Sequence, residues 1–340
     1  MIKQPRSIQE LRQLIKSMPC ADNDAIDAVR ARQAILTKPA GSLGRLEKIA
    51  EWLAAWQGNS SPRAERIQII VFAANHGIAA RGVSAYPSEV TLQMVDNFTA
   101  GGAAINQLSD WLGATLTVIP LSLDTPTADV TQDAAMDEEA NLRAWRAGMA
   151  ALDIGADLVC LGEMGIGNTT IAAALSAALF GGSGTDWAGR GTGIDDTGLQ
   201  RKTEAIDEAL ARHANNLKDP LETLRCIGGR EFSAIAGAVL AARHGRVPVM
   251  LDGFSCSAAA ATLYAANPDA LAHCLVAHKS VEPGHTHLLE KLGQTPLIDF
   301  SMRLGEGSGA ALAAALVRAA AATHNGMATF KGAGVSGPTD

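Results

Sequence analysis

The chain has 340 residues, 47% of them hydrophobic, enough for one large α/β domain or for a large and a small one. Aromatics are only 4%, the formal charge is −7 and no Lys/Arg run stands out, which excludes a broad face for a nucleic-acid backbone. Five cysteines, an odd number with no Cys-x-x-Cys pair, exclude a disulfide framework and a zinc ribbon and suit a reducing cytoplasm.

Met1 to Met18 mixes Lys3, Arg6, Glu10, Arg12 and Lys16 with apolar residues and lacks the apolar core of a signal peptide. No uncharged apolar run reaches membrane-spanning length, because Arg318 interrupts the best candidate. Ser7 to Met18, Asp22 to Leu36 and Leu43 to Trp56 read as amphipathic helices, with a Pro/Gly turn at Thr37 to Arg45. Ile67 to Ala74 is a β-branched apolar run, the pattern of a strand buried on both faces. Helices at Ser88 to Phe98 and up to Trp111 lead to a second strand, Ala114 to Leu121. Leu123 to Asp137 is polar and reads as a surface excursion before a helix at Glu138 to Leu152.

Asp157 to Leu161 is a third strand, opening into the glycine-rich Gly162 to Thr170 and a helix, Ile171 to Phe180. A second glycine-rich stretch, Gly181 to Gly193, precedes helices at Gly198 to Asn215, Asp219 to Arg225 and Glu231 to Arg243. Val247 to Leu251 and His273 to Ala277 complete the strands. An alanine-rich helix, Ala310 to Ala322, and a loose tail, Lys331 to Asp340, close the chain. Strands alternate with helices, so the economical fold is α/β, a mostly parallel Rossmann-like sheet with helices on both faces.

Several strands end in small or polar clusters: Asn75-His76-Gly77, Gly162 to Asn168, Asp252 to Ser255, and His278 to Ser280. Parallel sheets bind ligands beyond such ends. Gly162 to Thr170 suits a phosphate, since glycines bare the backbone N–H groups and a helix start adds positive charge. A helix cap by Asn168, Thr169 or Thr170 explains the same residues equally well. Lys202, near a helix start, would be explained by a phosphate, although an exposed lysine is the simpler reading. His76 reads as an interior histidine. His285 and His287 alternate in a loop without a third ligand at diagnostic spacing, which rejects a structural metal site.

Met302 to Gly309 places Glu306 between two glycines, just before the last helix. A tight, partly apolar loop would raise its pKa toward that of a neutral-pH general base. Taken alone, the octapeptide reads more readily as a turn whose carboxylate faces solvent.

Lys38 to Glu47, Ala74 to Gly77, Gly82 to Pro87, Gly162 to Thr170, Leu251 to Phe254 and Met302 to Gly309, in that order, are jointly distinctive. From about Leu36 to Asn325 the chain resembles the nicotinate-nucleotide:dimethylbenzimidazole phosphoribosyltransferase family. The resemblance implies transfer of 5-phosphoribose from nicotinate mononucleotide to 5,6-dimethylbenzimidazole, giving α-ribazole phosphate for the lower ligand of cobalamin. It implies that Glu306 takes the benzimidazole proton. It maps phosphate and ribose contacts to Glu163, Gly165, Gly167, Asn168, Lys202 and Ser280, and the base pocket to Tyr86, Met94 and Leu304. It implies no metal, no organic cofactor and a homodimer. It also implies N-terminal helices (1–60) sharing a small domain with the C-terminal region, a parallel-sheet domain (61–300), and a catalytic loop, helix and tail (301–340). The same chemistry on another acceptor base, or mononucleotide binding without catalysis, are the alternatives.

Overall fold

A strand with no polar side is stable only where both sheet faces are covered. Ile67–Ala73 (β1) is such a strand, and every residue in it is buried. The structure, a computed structural model describing residues 4–337, pairs it in parallel with Thr115–Pro120 (β2) and Leu158–Met164 (β3). Val249–Leu251 (β4) and Cys274–Val276 (β5) extend the sheet to the order β2-β1-β3-β4-β5, all parallel. Winding reverses between β1 and β3, the point at which open α/β sheets bind their ligands.

Ile8–Lys16 (α1), Asn23–Gln33 (α2) and Arg45–Gln57 (α3) precede the sheet. Glu89–Thr99 (α4) and Ala104–Leu112 (α5) lead from β1 to β2, and Glu138–Ala151 (α6) leads on to β3. Asn168–Phe180 (α7), Gly184–Trp187 (α8), Asp196–Arg212 (α9), Pro220–Ile227 (α10) and Arg230–Gly245 (α11) lie between β3 and β4. Phe254–Ala266 (α12) joins β4 to β5, and Pro283–Leu292 (α13), Ser308–Gly326 (α14) and Phe330–Ala333 (α15) follow. Side chains of Ser7, Asp22, Asp137, Asp195 and Asp219 accept first-turn N–H groups, which fixes where their helices start.

Alternate strand residues feed two cores, as the two-residue period requires. Ile70, Phe72, Val159 and Leu161 face a cluster built largely from α7 and α9 to α12, which α1 also joins through Leu11 and Ile15. Ile69, Val71 and Cys160 face the other way, onto α3, α5 and the alanines of α14. The chain ends meet: Leu36 bridges Thr329, and Arg32 donates to the carbonyls of His324, Asn325 and Met327. No helix among the described residues is long and apolar enough to cross a membrane.

Four readings are corrected. β3 runs past Leu161 to Met164, because parallel pairing with β1 continues where the apolar run has ended. The stretch from Leu123 to Asp137 is not all surface: Val130 and Met136 enter the core, and Thr127 bridges His76. His285 and His287 lie on helix α13, which Pro283 starts. The tail opens with α15, while its last three residues, Pro338 to Asp340, lie outside the described residues.

Helices α6 and α11 cross at backbone distance. A Cβ on Gly148 would stand 1.8 Å from the Ala234 carbonyl oxygen, and one on Gly237 would stand 2.2 Å from that of Trp145. Gly237→Ala is therefore expected to destabilise the fold by about 2 kcal/mol or more, read as a lower urea midpoint.

Candidate active site

The continuation of β3 puts Glu163 at a strand end, in register with Phe72 of β1, as a buried carboxylate. Its Oε2 accepts from Asn168 Nδ2. Burial pushes its pKa up to about 8, and the charges of Glu231 and Asp252 push the same way. Glu231 itself is buried against His76, with Oε1 and Nε2 2.5 Å apart. His76 is thus an interior histidine, though its Nδ1 finds no partner among the described residues.

The chain then turns through Gly165 and Gly167 into α7. A Cβ on Gly165 would meet the Ala74 carbonyl oxygen at 2.6 Å, so only glycine lets this loop lie on the end of β1. Gly167, with φ of 94°, begins α7 with no side-chain cap. The cap reading of Asn168, Thr169 and Thr170 fails, because Asn168 is turned to Glu163, Thr169 Oγ1 accepts from Lys202 Nζ at 2.9 Å and Thr170 Oγ1 is buried with no partner among the described residues. The positive end of α7 is left to the crevice.

Glu306 arrives from the other side. Gly305, Glu306 and Gly307 have φ of 83°, 64° and 80°. Glycine takes that conformation freely, whereas it costs a glutamate about 1 kcal/mol. Three contacts hold it. Glu306 N donates to the Glu163 carbonyl at 3.1 Å. Asp252, buried just beyond β4, accepts from Gly307 N at 3.1 Å and from Ala310 N at 2.8 Å. Gly162 leaves the room, since a Cβ there would stand 2.3 Å from Gly307 N.

The Glu306 side chain is consequently buried and does not face solvent, contrary to the simplest reading of its octapeptide. Its Oε2 has no hydrogen-bond partner among the described residues. Burial, and then the charge of Asp252, push its pKa up to about 7. Burial also raises Asp252, against the pull of His278, whose Nε2 lies 3.7 Å from Oδ1, and of the helix N–H groups.

A third loop, 189–193, closes the site. Lys202 is fully buried rather than exposed, and its Nζ donates to the Gly189 carbonyl at 3.0 Å as well as to Thr169. Burial pulls its pKa down to about 8, with Glu282 opposing. Glu282 accepts from Gly191 N at 2.8 Å, and Arg303 Nη1 donates to the Gly191 carbonyl at 3.0 Å. Ser280 N donates to His285 Nδ1 at 3.0 Å, and Glu282 N donates to Ser280 Oγ at 3.3 Å. His285 thus serves to orient Ser280, while His287 stacks on Trp187 with centroids 4.2 Å apart.

These loops enclose a crevice of two lobes. Glu163, Asp252, Ser280, Glu282, Arg303 and Leu304 line the first. Gly165, Gly167 and Arg190 line the second, and Asn168, Thr169 and Gly191 border both. Lys202 stands behind Thr169, and Glu306 follows the lining residue Gly305. Leu304 is 54% exposed at the rim. Met94 packs with the apolar cluster that includes Met164, and Tyr86, 51% exposed, lines neither lobe. Wider clefts around Arg143 and Arg230, and around Met149 and Ile154, gather no buried carboxylates. Sequence reasoning missed Glu282 and Arg303, and it saw Asp252 only as part of a polar strand end.

The DBI_PRT phosphoribosyltransferase family model matches residues 18–335. The chain belongs to this family. It is 59% identical to the nicotinate-nucleotide–dimethylbenzimidazole phosphoribosyltransferase of Mesorhizobium japonicum, over 97% of this chain and 98% of the relative. It is 56% identical to the protein of that name from Brucella canis, over 96% of each. The crystal structure of CobT from Thermus thermophilus superposes with a TM-score of 0.87 at 44% identity, covering 93% of this chain and all of that one.

The raised pKa of Glu163 has a stability consequence. Between its ordinary 4.5 and about 8 the folded protein keeps a proton that the unfolded chain has released. Stability therefore falls as pH rises through that window and the loss is complete above it. Glu163→Gln removes the loss, so its melting temperature relative to wild type is expected to rise from pH 4 to pH 9.

Proposed function

We propose that the crevice transfers 5-phosphoribose from nicotinate mononucleotide to 5,6-dimethylbenzimidazole, releasing nicotinate and α-ribazole 5′-phosphate. What carries the reading is Glu306, a buried carboxylate with a free oxygen and a pKa pushed up to about 7, on the loop that borders the crevice. Such a group is half ionised at neutral pH and suits a general base.

In this mechanism the phosphate takes the uncapped start of α7 and the backbone of Gly165 and Gly167. Asn168, the remaining Nζ proton of Lys202, and the hydroxyl of Ser280 across the crevice complete its cradle. Glu163, protonated at neutral pH by its burial, donates to the ribose. The acceptor ring lies against Leu304, with Tyr86 and Met94, which line neither lobe of the crevice, as the remaining candidates for its pocket. Glu306 removes its N–H proton while the other ring nitrogen attacks the anomeric carbon. The C–N bond to the pyridinium breaks as the new one forms, and its electron pair neutralises the leaving nitrogen. Departure needs no general acid, and attack from the opposite face turns β into α. Positioning supplies much of the rate.

A second assignment exchanges the two carboxylates: Glu163 itself lines the lobe that Glu306 only borders, and its pKa is also raised. Nicotinate release from nicotinate mononucleotide and dimethylbenzimidazole tests both. Glu306→Gln is expected to lower kcat by roughly 10²-fold or more. A large loss in Glu163→Gln with Glu306→Gln nearly intact reverses the roles, and an inactive wild type refutes the function.

Of residues 1–60, we further take α2 and α3, with the end of α14, as a small helical domain, supported by the packing of α2 on α3 and by contacts across the chain ends, whereas α1 packs in the main core. A homodimer is supported by the exposed Leu92 and Trp111 on α4 and α5. The five free cysteines suit the cytoplasm.

A further inference from the structure

The donor proposed above differs from its amide counterpart, nicotinamide mononucleotide, only in a ring carboxylate. An enzyme that selects the acid is best served by a cation where that ring sits, and the first lobe of the crevice offers mostly carboxyl groups. Glu163, Asp252 and Glu282 all line it. The nearby cations are mostly engaged. Lys202 is buried against Thr169 and Gly189, with Glu282 close by. Arg190 is paired with Asp196 and donates to the Ile194 carbonyl.

Arg303 is different. It lines the lobe, its side chain is exposed, and it stands on the same loop as Glu306. One bond, from Nη1 to the Gly191 carbonyl at 3.0 Å, fixes its direction. It forms no ion pair among the described residues. The guanidinium therefore presents its other N–H groups, in a planar fork that matches a carboxylate.

We infer that Arg303 receives the carboxylate of the departing pyridine ring and so selects the acid over the amide form of the donor. This rests on the phosphoribosyl-transfer reading. A carboxylate held at Arg303 also fixes the orientation of the leaving ring. Because Arg303 is exposed, the selection is expected to weaken with salt.

The test is the ratio of kcat/KM for nicotinate mononucleotide to that for nicotinamide mononucleotide, with dimethylbenzimidazole fixed. Wild type should prefer the acid. Arg303→Gln should cut that preference roughly 10- to 100-fold, and Arg303→Lys should keep part of it. A residue that merely pins loop 189–193 would lower both activities alike and leave the ratio standing, which would overturn the inference. So would a wild type with no preference. If wild type turns over neither donor, the functional reading fails separately. Calorimetric binding of the two mononucleotides to wild type and Arg303→Gln then still decides, since equal affinities in both proteins would refute the role of Arg303.

Discussion

Asp252 is the joint on which the site depends. A carboxylate just past β4 accepts two N–H groups from the start of α14. That bond satisfies orphan donors of the helix and answers its positive end. It also holds Gly305 to Gly307 in a conformation that a glutamate would leave if released. The strain at Glu306 is thus over-determined by its surroundings. Gly162 makes the contact possible from below, and the Glu163 carbonyl anchors it from the side.

The electrostatics follow from the same joint. Drawing Asp252, Glu163 and Glu306 together in a dry place makes each resist ionisation. A loop that simply faced water would carry an ordinary carboxylate. One fold feature therefore sets both where the acids are and how firmly they keep their protons. Lys202 meets the opposite penalty, and its burial beneath loop 189–193 lowers its hold on a proton.

Periodicity exposed the sheet because β1 is apolar but for Gln68 and β3 begins with an unbroken apolar run, Leu158 to Leu161. It stopped short at Gly162, Glu163 and Met164, where pairing to β1 continues a strand that hydrophobicity no longer marks. Pro283, Gly284 and two histidines disguised the start of α13. The glycine loops were visible, since Gly165 and Gly167 break both patterns. Their partners were not: Asp252 meets Gly307 across 55 positions, and nothing local in either segment announces the other. The burial of Lys202 was equally hidden, because Thr169 and Gly189 close over it only in the folded chain.

Helix α14 has 19 residues, so it is about 28 Å long. Its first turn follows directly on the loop that borders the crevice. Arg318 ties its middle to the carbonyls of Ala64 and Leu112, and Arg32 grips its last turn from the N-terminal helices. A rigid rod of that length that tilts by about two degrees moves its far tip by about 1 Å, the scale at which reacting atoms lose alignment. The aim of the Glu306 carboxylate is thus set partly by a clamp at the far end of this helix, and loosening Arg32 would be felt as lost marksmanship.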